Sequence, residues 1–241
     1  MRISKDYNPY LSGDKYSNGL KVKFLMESGD ELYRSRSDVL AEICTGKRII
    51  HVGCVDHDID SIEKKIKRNK WLHKNLCEAA ERCFGVDIQE DGIRYLREVL
   101  GYEDVAAVNI IDEEFEPFVQ EEWDYLLLPE VLEHIDNPVD FLSGIRRRFI
   151  GKLDNLIITV PNAFSKDIIK GAQKDMEFIN SDHRYWFTPY TLAKVAVQAG
   201  FSVQRFIMCK HGIVKRRSFA RNAWFRRHPL MRGDVVMILS F

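Results

Sequence analysis

The sequence predicts an α/β fold in which a doubly wound sheet of seven strands is mostly parallel and its last strand is antiparallel. Seven short apolar runs are rich in Ile, Val, Leu and Phe and mostly lack alternation, which is typical of parallel strands buried on both faces. Helical stretches separate the first five runs, and this strand–helix repeat is typical of doubly wound sheets. The predicted strands are Arg48–Val52, Cys83–Val86, Val105–Ile111, Tyr125–Leu128, Leu156–Val160, Ser202–Cys209 and Val235–Leu239.

Capping residues and helix formers place the helices between these strands. Asn137 and Pro138 form a helix start, because an Asn side chain caps the first turn and proline fits the first helical position. A long basic segment separates the last two strands instead of a periodic helix, so we expect an antiparallel excursion at one edge. The predicted helices are 31–43, 59–82 with a break near Asn69, 91–100, 138–149 and 189–199.

The length of 241 residues suits one large α/β domain, here residues 46–241, preceded by an arm and helix (residues 1–45) that we consider a candidate lid. Lys and Arg together number 36, as do Asp and Glu, so net charge gives no indication of a DNA partner. The five cysteines form no CxxC pair, which favours free thiols in a reducing compartment. With no signal-peptide core and no apolar run of spanning length, we expect a cytoplasmic protein.

Two strand ends carry residues suited to ligand binding. Gly53 follows the first predicted strand, and glycine allows the backbone to approach a ligand closely. Asp87 ends the second strand, where an acidic side chain can accept hydrogen bonds from ribose hydroxyls. The alternative for Asp87 is a solvated carboxylate that caps the next helix. In open α/β sheets, both positions lie at the edge where ligands bind.

Glu130, Glu133 and His134 follow the fourth strand at positions i, i+3 and i+4, which share one face if the segment is helical. His134 is the candidate general base, with Glu130 as the second candidate catalytic residue. The alternative is a histidine that only forms hydrogen bonds with the backbone. The three side chains could also hold a divalent ion. A fourth ligand is not evident, so we expect no metal.

Several of these motifs, taken in order, resemble those of the class I S-adenosylmethionine-dependent methyltransferases. They are Gly-Val-Asp at 85–87, Glu-Val-Leu-Glu-His at 130–134, Val-Pro-Asn at 160–162 and Ala-Gly-Phe at 199–201. The resemblance covers residues 48–241 and implies a Rossmann-like methyltransferase fold with S-adenosylmethionine as cofactor. The Val-Gly-Cys-Val-Asp-His string at 52–57 is also similar to that of methyltransferases from bacterial surface-glycan gene clusters.

The resemblance assigns roles to individual residues. Gly53 and Cys54 would lie under the methionine part of the cofactor, and Asp87 would take the ribose hydroxyls. Ile88 would flank the adenine, and Asn109 would meet its amino group. The rest of the predicted site consists of Val52 and Ile110 in the cofactor-binding set, and Leu128 and Pro129, which would line the methyl-transfer site.

The first motif departs from the family pattern. His51 occupies an acidic position, and Val55 and His57 replace the second and third glycines. The loop must therefore be held by other contacts, for which Asp56, His57 and His73 are candidates. The altered motif leaves open a catalytically inactive module that binds the cofactor or a partner. A nicotinamide-dependent dehydrogenase is disfavoured because only one glycine of Gly-x-Gly-x-x-Gly is present.

Residues 210–232 carry eight Lys and Arg and no acidic residue, with aromatic residues interleaved. Dense like charges repel unless an anion neutralises them. Basic and aromatic residues together suit a phosphorylated or nucleotide-linked sugar, an anionic membrane surface or RNA. The resemblance to surface-glycan methyltransferases favours the first two, and it implies a small-molecule or glycan acceptor that is anionic and is methylated on oxygen or nitrogen. The same segment is a candidate for peripheral membrane contact. The alternative is a solvated connection whose charges only maintain solubility.

Overall fold

The computed structural model describes residues 1–113, 115–215 and 217–241, and it contains the predicted seven-stranded sheet. The strands are β1 (Arg2–Ile3), β2 (Phe24–Leu25), β3 (Arg48–Val52), β4 (Arg82–Asp87), β5 (Val105–Ala107), β6 (Tyr125–Pro129), β7 (Asn155–Pro161), β8 (Ser202–Cys209) and β9 (Asp234–Ser240). The sheet order is β5-β4-β3-β6-β7-β9-β8, and β9 runs antiparallel to both of its neighbours. The remaining pairings in this sheet are parallel, so the predicted fold class is confirmed.

Helices fill the connections, with boundaries that follow local capping chemistry. Asn137 caps α7 by accepting a hydrogen bond from the backbone N–H of Asp140. Asn69 has a φ of 51°, a left-handed conformation that divides the predicted 59–82 helix in two. The helices are α1 (Asn8–Ser12), α2 (Arg36–Cys44), α3 (Ile59–Lys67), α4 (Leu72–Ala79), α5 (Glu90–Glu98), α6 (Glu116–Gln120), α7 (Pro138–Phe149), α8 (Lys166–Ala172), α9 (Pro189–Gln198) and α10 (Phe219–Arg227).

Two boundaries and one connection differ most from the prediction. The helix predicted from residue 31 begins at Arg36, because the Ser35 hydroxyl caps its first turn. Strand β5 ends at Ala107, since the Asn109 side chain accepts the N–H of Ile111 and closes a turn. A helix, α10, forms in the basic connection between β8 and β9, where the sequence predicted none. It is fixed by Phe225, which is buried and stacks on Tyr33 at 4.8 Å.

The sheet is buried on both faces, as its apolar runs predict. Side chains alternate along each strand, so Ile50 and Leu126 pack on one face while Ile49 and Leu127 pack on the other. All four are fully buried. This leaves the carboxyl ends of the parallel strands as the edge where side chains reach open space.

The N-terminal arm lies against the main domain. Strands β1 and β2 form a small antiparallel sheet, and the side chains of Met1 and Leu11 belong to the main hydrophobic core. Lys194 and Gln198 of α9 donate hydrogen bonds to backbone carbonyls of α1. A lid function for the arm stays a prediction.

Candidate functional site

A cavity of about 550 Å³ opens at the carboxyl ends of β3, β4, β5 and β6. Parallel α/β sheets bind their ligands at this edge, and the volume lies within the range of small-molecule sites. Most residues predicted for the site line this cavity: Val52, Gly53, Cys54, Asp87, Ile88, Asn109, Ile110, Pro129, Glu130 and His134.

Leu128 does not line the cavity, which corrects the expectation from the sequence. It is fully buried and belongs to the same core cluster as Leu126. Successive residues of a strand face opposite sides of the sheet, so the core takes Leu128. Pro129 and Val131 form this part of the cavity wall instead.

The loop after β3 turns at Gly53, whose φ is 77°. A Cβ at this position would lie 3.1 Å from Cγ2 of Val131, so both conformation and space favour glycine. The backbone N–H groups of Gly53 and Cys54 both donate to the carbonyl of Val86 in β4, at 2.8 and 3.3 Å. These bonds fix the loop against the neighbouring strand.

Asp87 anchors this loop, in which two of the glycines of the family motif are absent. One carboxylate oxygen accepts the N–H of Val55 at 3.0 Å, and the other accepts that of Gln89 at 3.1 Å. Burial raises the pKa of Asp87, while the backbone donors act in the opposite direction. The Val55 side chain fits because residue 92 of α5 is glycine: a Cβ there would lie within 2.9 Å of Cγ2 of Val55. The altered motif is therefore accommodated by α5 and Asp87, contacts that sequence reasoning did not identify.

The side of the cavity assigned to adenine is formed by residues after β4 and β5. Ile88 lines the cavity but leaves 76% of its surface exposed, as an open apolar edge would. Asn109 donates to the carboxylate of Asp112 at 2.7 Å and accepts the N–H of Ile111. Both the nitrogen and the oxygen of its side-chain amide are engaged in the turn, so contact with adenine remains a prediction.

Glu130 lies apart from His134, contrary to the expectation of one shared face. It adopts a left-handed conformation with φ of 57°, and a 3₁₀ turn rather than an α-helix follows at Leu132–His134. Its carboxylate accepts hydrogen bonds from Thr159 at 3.0 Å and pairs with Arg36 at 2.6 Å. Burial raises the pKa of Glu130, but Arg36, His211 and the hydrogen bond from Thr159 together lower it by more, so the net pKa lies below the ordinary value. Glu130 is therefore held as a paired anion.

His134 faces the cavity beside a second acidic group. Its Nδ1 lies 3.2 Å from the Asp182 carboxylate, and its ring meets the edge of His183 at 4.6 Å between centroids. The segment that carries both partners is fixed by Arg184, whose N–H donates to the carbonyl of Glu133 at 2.8 Å. The aromatic stretch around His183 thus adjoins the site.

Glu133 is fully buried behind this pair, and neither of its carboxylate oxygens has a hydrogen-bond partner among the described residues. Burial raises the pKa of Glu133 to about 9. Ligand atoms of Glu133, His134 and His183 all lie within 4.8 Å of one another, and a second such group joins Glu130, His211 and Asp234. The predicted trio of Glu130, Glu133 and His134 is thus divided between two clusters.

Sequence reasoning missed two further cavity residues, Arg36 and Asp182, and the pairing of His51 with His73, because no local motif marks them. Arg36 comes from α2, and Asp182 comes from the long connection before α9. His51 pairs with His73 of α4 at the base of the cavity. The His51 substitution in the first motif was visible in the sequence, but its partner is 22 residues away.

The comparisons with known proteins agree with this geometry. A family model described as a methyltransferase domain matches residues 29–205. The chain belongs to this methyltransferase family. No protein of curated function matches it in sequence. The enzyme is a class I methyltransferase that uses S-adenosylmethionine as its methyl donor.

Solved structures of methyltransferases share the fold at low identity. Magnesium protoporphyrin IX methyltransferase from Synechocystis PCC 6803, with bound S-adenosylhomocysteine, is 15% identical with a TM-score of 0.50, over 85% of this chain and 81% of that one. An S-adenosylmethionine-dependent methyltransferase from Mesorhizobium loti is 9% identical with a TM-score of 0.50, over 85% of this chain and 95% of that one. A small RNA methyltransferase is 16% identical with a TM-score of 0.55, over 90% of this chain but only 26% of that one.

The residues of the methyltransferase cavity fit this cofactor. Gly53 offers an open backbone where a Cβ would crowd the wall, and the Asp87 oxygens retain lone pairs beyond their two backbone bonds. When bound, S-adenosylmethionine supplies a methyl group on a positively charged sulfur. None of the described helices combines the length and apolar content needed to cross a membrane.

Proposed function

We propose that the methyltransferase modifies a hydroxyl or amine of an anionic small molecule or glycan, with His134 as the proton acceptor. The observation that carries this proposal is the contact between His134 Nδ1 and the Asp182 carboxylate at 3.2 Å on the cavity wall. A carboxylate at Nδ1 favours the tautomer with the proton on that nitrogen, which leaves Nε2 free to accept a proton. A hydroxyl or amine that receives a methyl group must lose a proton, and Nε2 can take it.

Cations near the cavity support an anionic acceptor. Lys70 lines the cavity, and Lys210 lies close enough to Lys70, Lys215 and Arg221 for mutual repulsion. Burial lowers the pKa of Lys210, and these neighbouring charges lower it further. Among the described residues, Lys70, Lys210 and Arg221 form no ion pair. A phosphate or carboxylate on the acceptor would relieve their repulsion.

The basic connection also supports contact with a lipid carrier at a membrane surface. Phe219 at the start of α10 is 79% exposed, and Ile213 is 55% exposed, beside the basic residues of the same segment. Arg232 does not contribute, because it is buried and donates to the carbonyls of Phe225, Leu32 and Met208. Arg216 lies outside the described residues. Membrane attachment would need only a few cations, at about 1 kcal/mol each.

The test of the acceptor class uses S-adenosylmethionine with a radiolabelled methyl group and matched sugar pairs. Nucleotide-linked and phosphorylated sugars are compared with the same sugars lacking phosphate. We expect label in the anionic acceptors, a KM raised by Lys70→Gln, and turnover lowered about 10²–10⁴-fold by His134→Ala. Equal labelling of neutral sugars would contradict the anionic acceptor, and full turnover of the His134 variant would contradict the proton acceptor.

Contact of the basic connection with a membrane surface is tested separately. The triple variant Arg217→Gln, Arg226→Gln and Arg227→Gln is compared with the wild type in co-sedimentation with vesicles of anionic or zwitterionic lipid. We expect binding of the wild type to anionic vesicles alone, weaker at higher salt and lost in the variant. Binding that is equal for both proteins would show that these arginines serve only as a solvated surface.

A second mechanism is favoured by the cluster of Glu133, His134 and His183. Both Glu133 oxygens and His183 Nδ1 are buried with no hydrogen-bond partner in the described part of the chain, and the ligand atoms of the three residues lie within 4.8 Å. Such oxygen and nitrogen donors suit a divalent cation, which would bind an acceptor hydroxyl and lower its pKa. Metal analysis and activity after dialysis against EDTA separate the two mechanisms. Loss of activity that Mg²⁺, Mn²⁺ or Zn²⁺ restores would favour the metal, and unchanged activity would favour His134 as base.

A further inference from the structure

Two buried imidazoles lie in contact at the base of the cavity. His51, on β3, is 2% exposed, and His73, on α4, is 1% exposed. Their Nδ1 atoms are 3.0 Å apart, which is a hydrogen-bond distance. Such a bond needs one protonated and one bare Nδ1, so the two rings form a pair of complementary neutral tautomers.

The sulfur atoms around His73 determine the direction of this bond. Cys77 Sγ lies 3.6 Å from His73 Nε2, and Cys83 Sγ lies 3.8 Å from His73 Nδ1. The reverse chain would begin at a thiol, which is a weak donor, and would leave a buried N–H at His51 Nε2 without an acceptor among the described residues. His73 Nε2 therefore carries the proton and donates it to Cys77. His73 Nδ1 is then bare and accepts from His51 Nδ1–H. In this arrangement each N–H donates one hydrogen bond, from His51 to His73 and from His73 to Cys77.

This chain of hydrogen bonds leaves His51 Nε2 without a proton, as a free acceptor. This atom is buried and has no partner among the described residues, although its ring lines the cavity just before Gly53. A buried acceptor without a donor costs free energy, so a ligand that brings a donor to this point would be favoured. The methionine part of S-adenosylmethionine has one such donor, its ammonium group, whereas its carboxylate can only accept.

We propose that His51 Nε2 accepts a hydrogen bond from the α-ammonium group of S-adenosylmethionine, and that His73 holds His51 in the tautomer this requires. His51 would thus bind the cofactor in place of the acidic residue expected in the first motif. His73 would act as a positioning residue, because the polar contacts of its ring nitrogens are with His51 and the two cysteines. This inference does not depend on the identity of the acceptor.

The test compares two ligands by calorimetry. S-adenosylhomocysteine carries the amino-acid group, and 5′-methylthioadenosine lacks it but retains the adenosine. We expect His51→Leu to weaken binding of the first about 10- to 100-fold, the usual effect of losing a hydrogen bond to a charged group, and to change binding of the second less than twofold. His51→Gln, whose amide can reach the Nε2 position, should retain more affinity than His51→Asn.

Nitrogen NMR of the wild-type imidazoles provides a measurement that needs no variant. We expect His51 Nε2 to be unprotonated without ligand and its resonance to shift on addition of S-adenosylhomocysteine but not of 5′-methylthioadenosine. The proposal is overturned if His51 Nε2 carries the proton, or if both ligands lose affinity equally in His51→Leu. It is also overturned if metal analysis finds stoichiometric Zn²⁺ bound through His51, His73 and Cys83, whose ligand atoms lie within 4.8 Å.

Discussion

The contact between Val55 and Gly92 predicts that Gly92→Ala lowers or raises the free energy of unfolding depending on the residue at position 55. Gly92 lies in the first turn of α5, and a Cβ there would come within 2.9 Å of Cγ2 of Val55 and closer still to Cγ1. In a helix, Gly→Ala ordinarily stabilises by up to about 1 kcal/mol. Overpacking a buried contact costs about 1–3 kcal/mol. We therefore expect Gly92→Ala to lower the free energy of unfolding by up to about 2 kcal/mol.

The clash depends on Val55, so removing that side chain should reverse the effect. In a Val55→Gly background, we expect Gly92→Ala to raise the free energy of unfolding by about 1 kcal/mol. Urea unfolding of the wild type, both single variants and the double variant gives a coupling energy, expected at about 1–3 kcal/mol. Val55→Ala serves as a control with a smaller clash. If Gly92→Ala stabilises both backgrounds equally, Val55 does not depend on the space at Gly92 and the account of the altered motif is wrong.

The other predictions concern Asp87 and the ion pair of Arg36 with Glu130. Asp87→Ala should weaken S-adenosylhomocysteine binding about 10- to 100-fold, measured by calorimetry, because a charge-assisted acceptor and the Val55 anchor are both lost. Arg36→Met should lower the free energy of unfolding by about 3 kcal/mol in urea, because it leaves the mostly buried Glu130 with only Thr159 and His211 as partners. The wild type should lose stability as pH falls through the depressed pKa of Glu130, since its paired carboxylate then takes up a proton. Arg36→Met should lose less stability than the wild type as pH falls, because the largest influence that lowers the pKa of Glu130 is then absent; an unchanged pH profile would contradict the pairing.

The sequence alone determined the architecture, because strands and helix starts are coded locally. Apolar runs of strand length, the Asn137 cap and the glycines that end helices depend on residues near in sequence. Asp87 and Gly53 were also predictable, because the end of a parallel strand places a residue at the binding edge whatever its partners are.

Only the tertiary structure decided how the side chains at that edge are used. The spacing of Glu130 and His134 predicted a shared face, but the left-handed Glu130 separates them, and its partner Arg36 comes from a helix 94 positions earlier in the sequence. The His51–His73 pair likewise joins a strand to a helix. Hydrogen bonds and ion pairs act over a few ångströms in space, and a single sequence does not state which distant segments the fold brings within that distance.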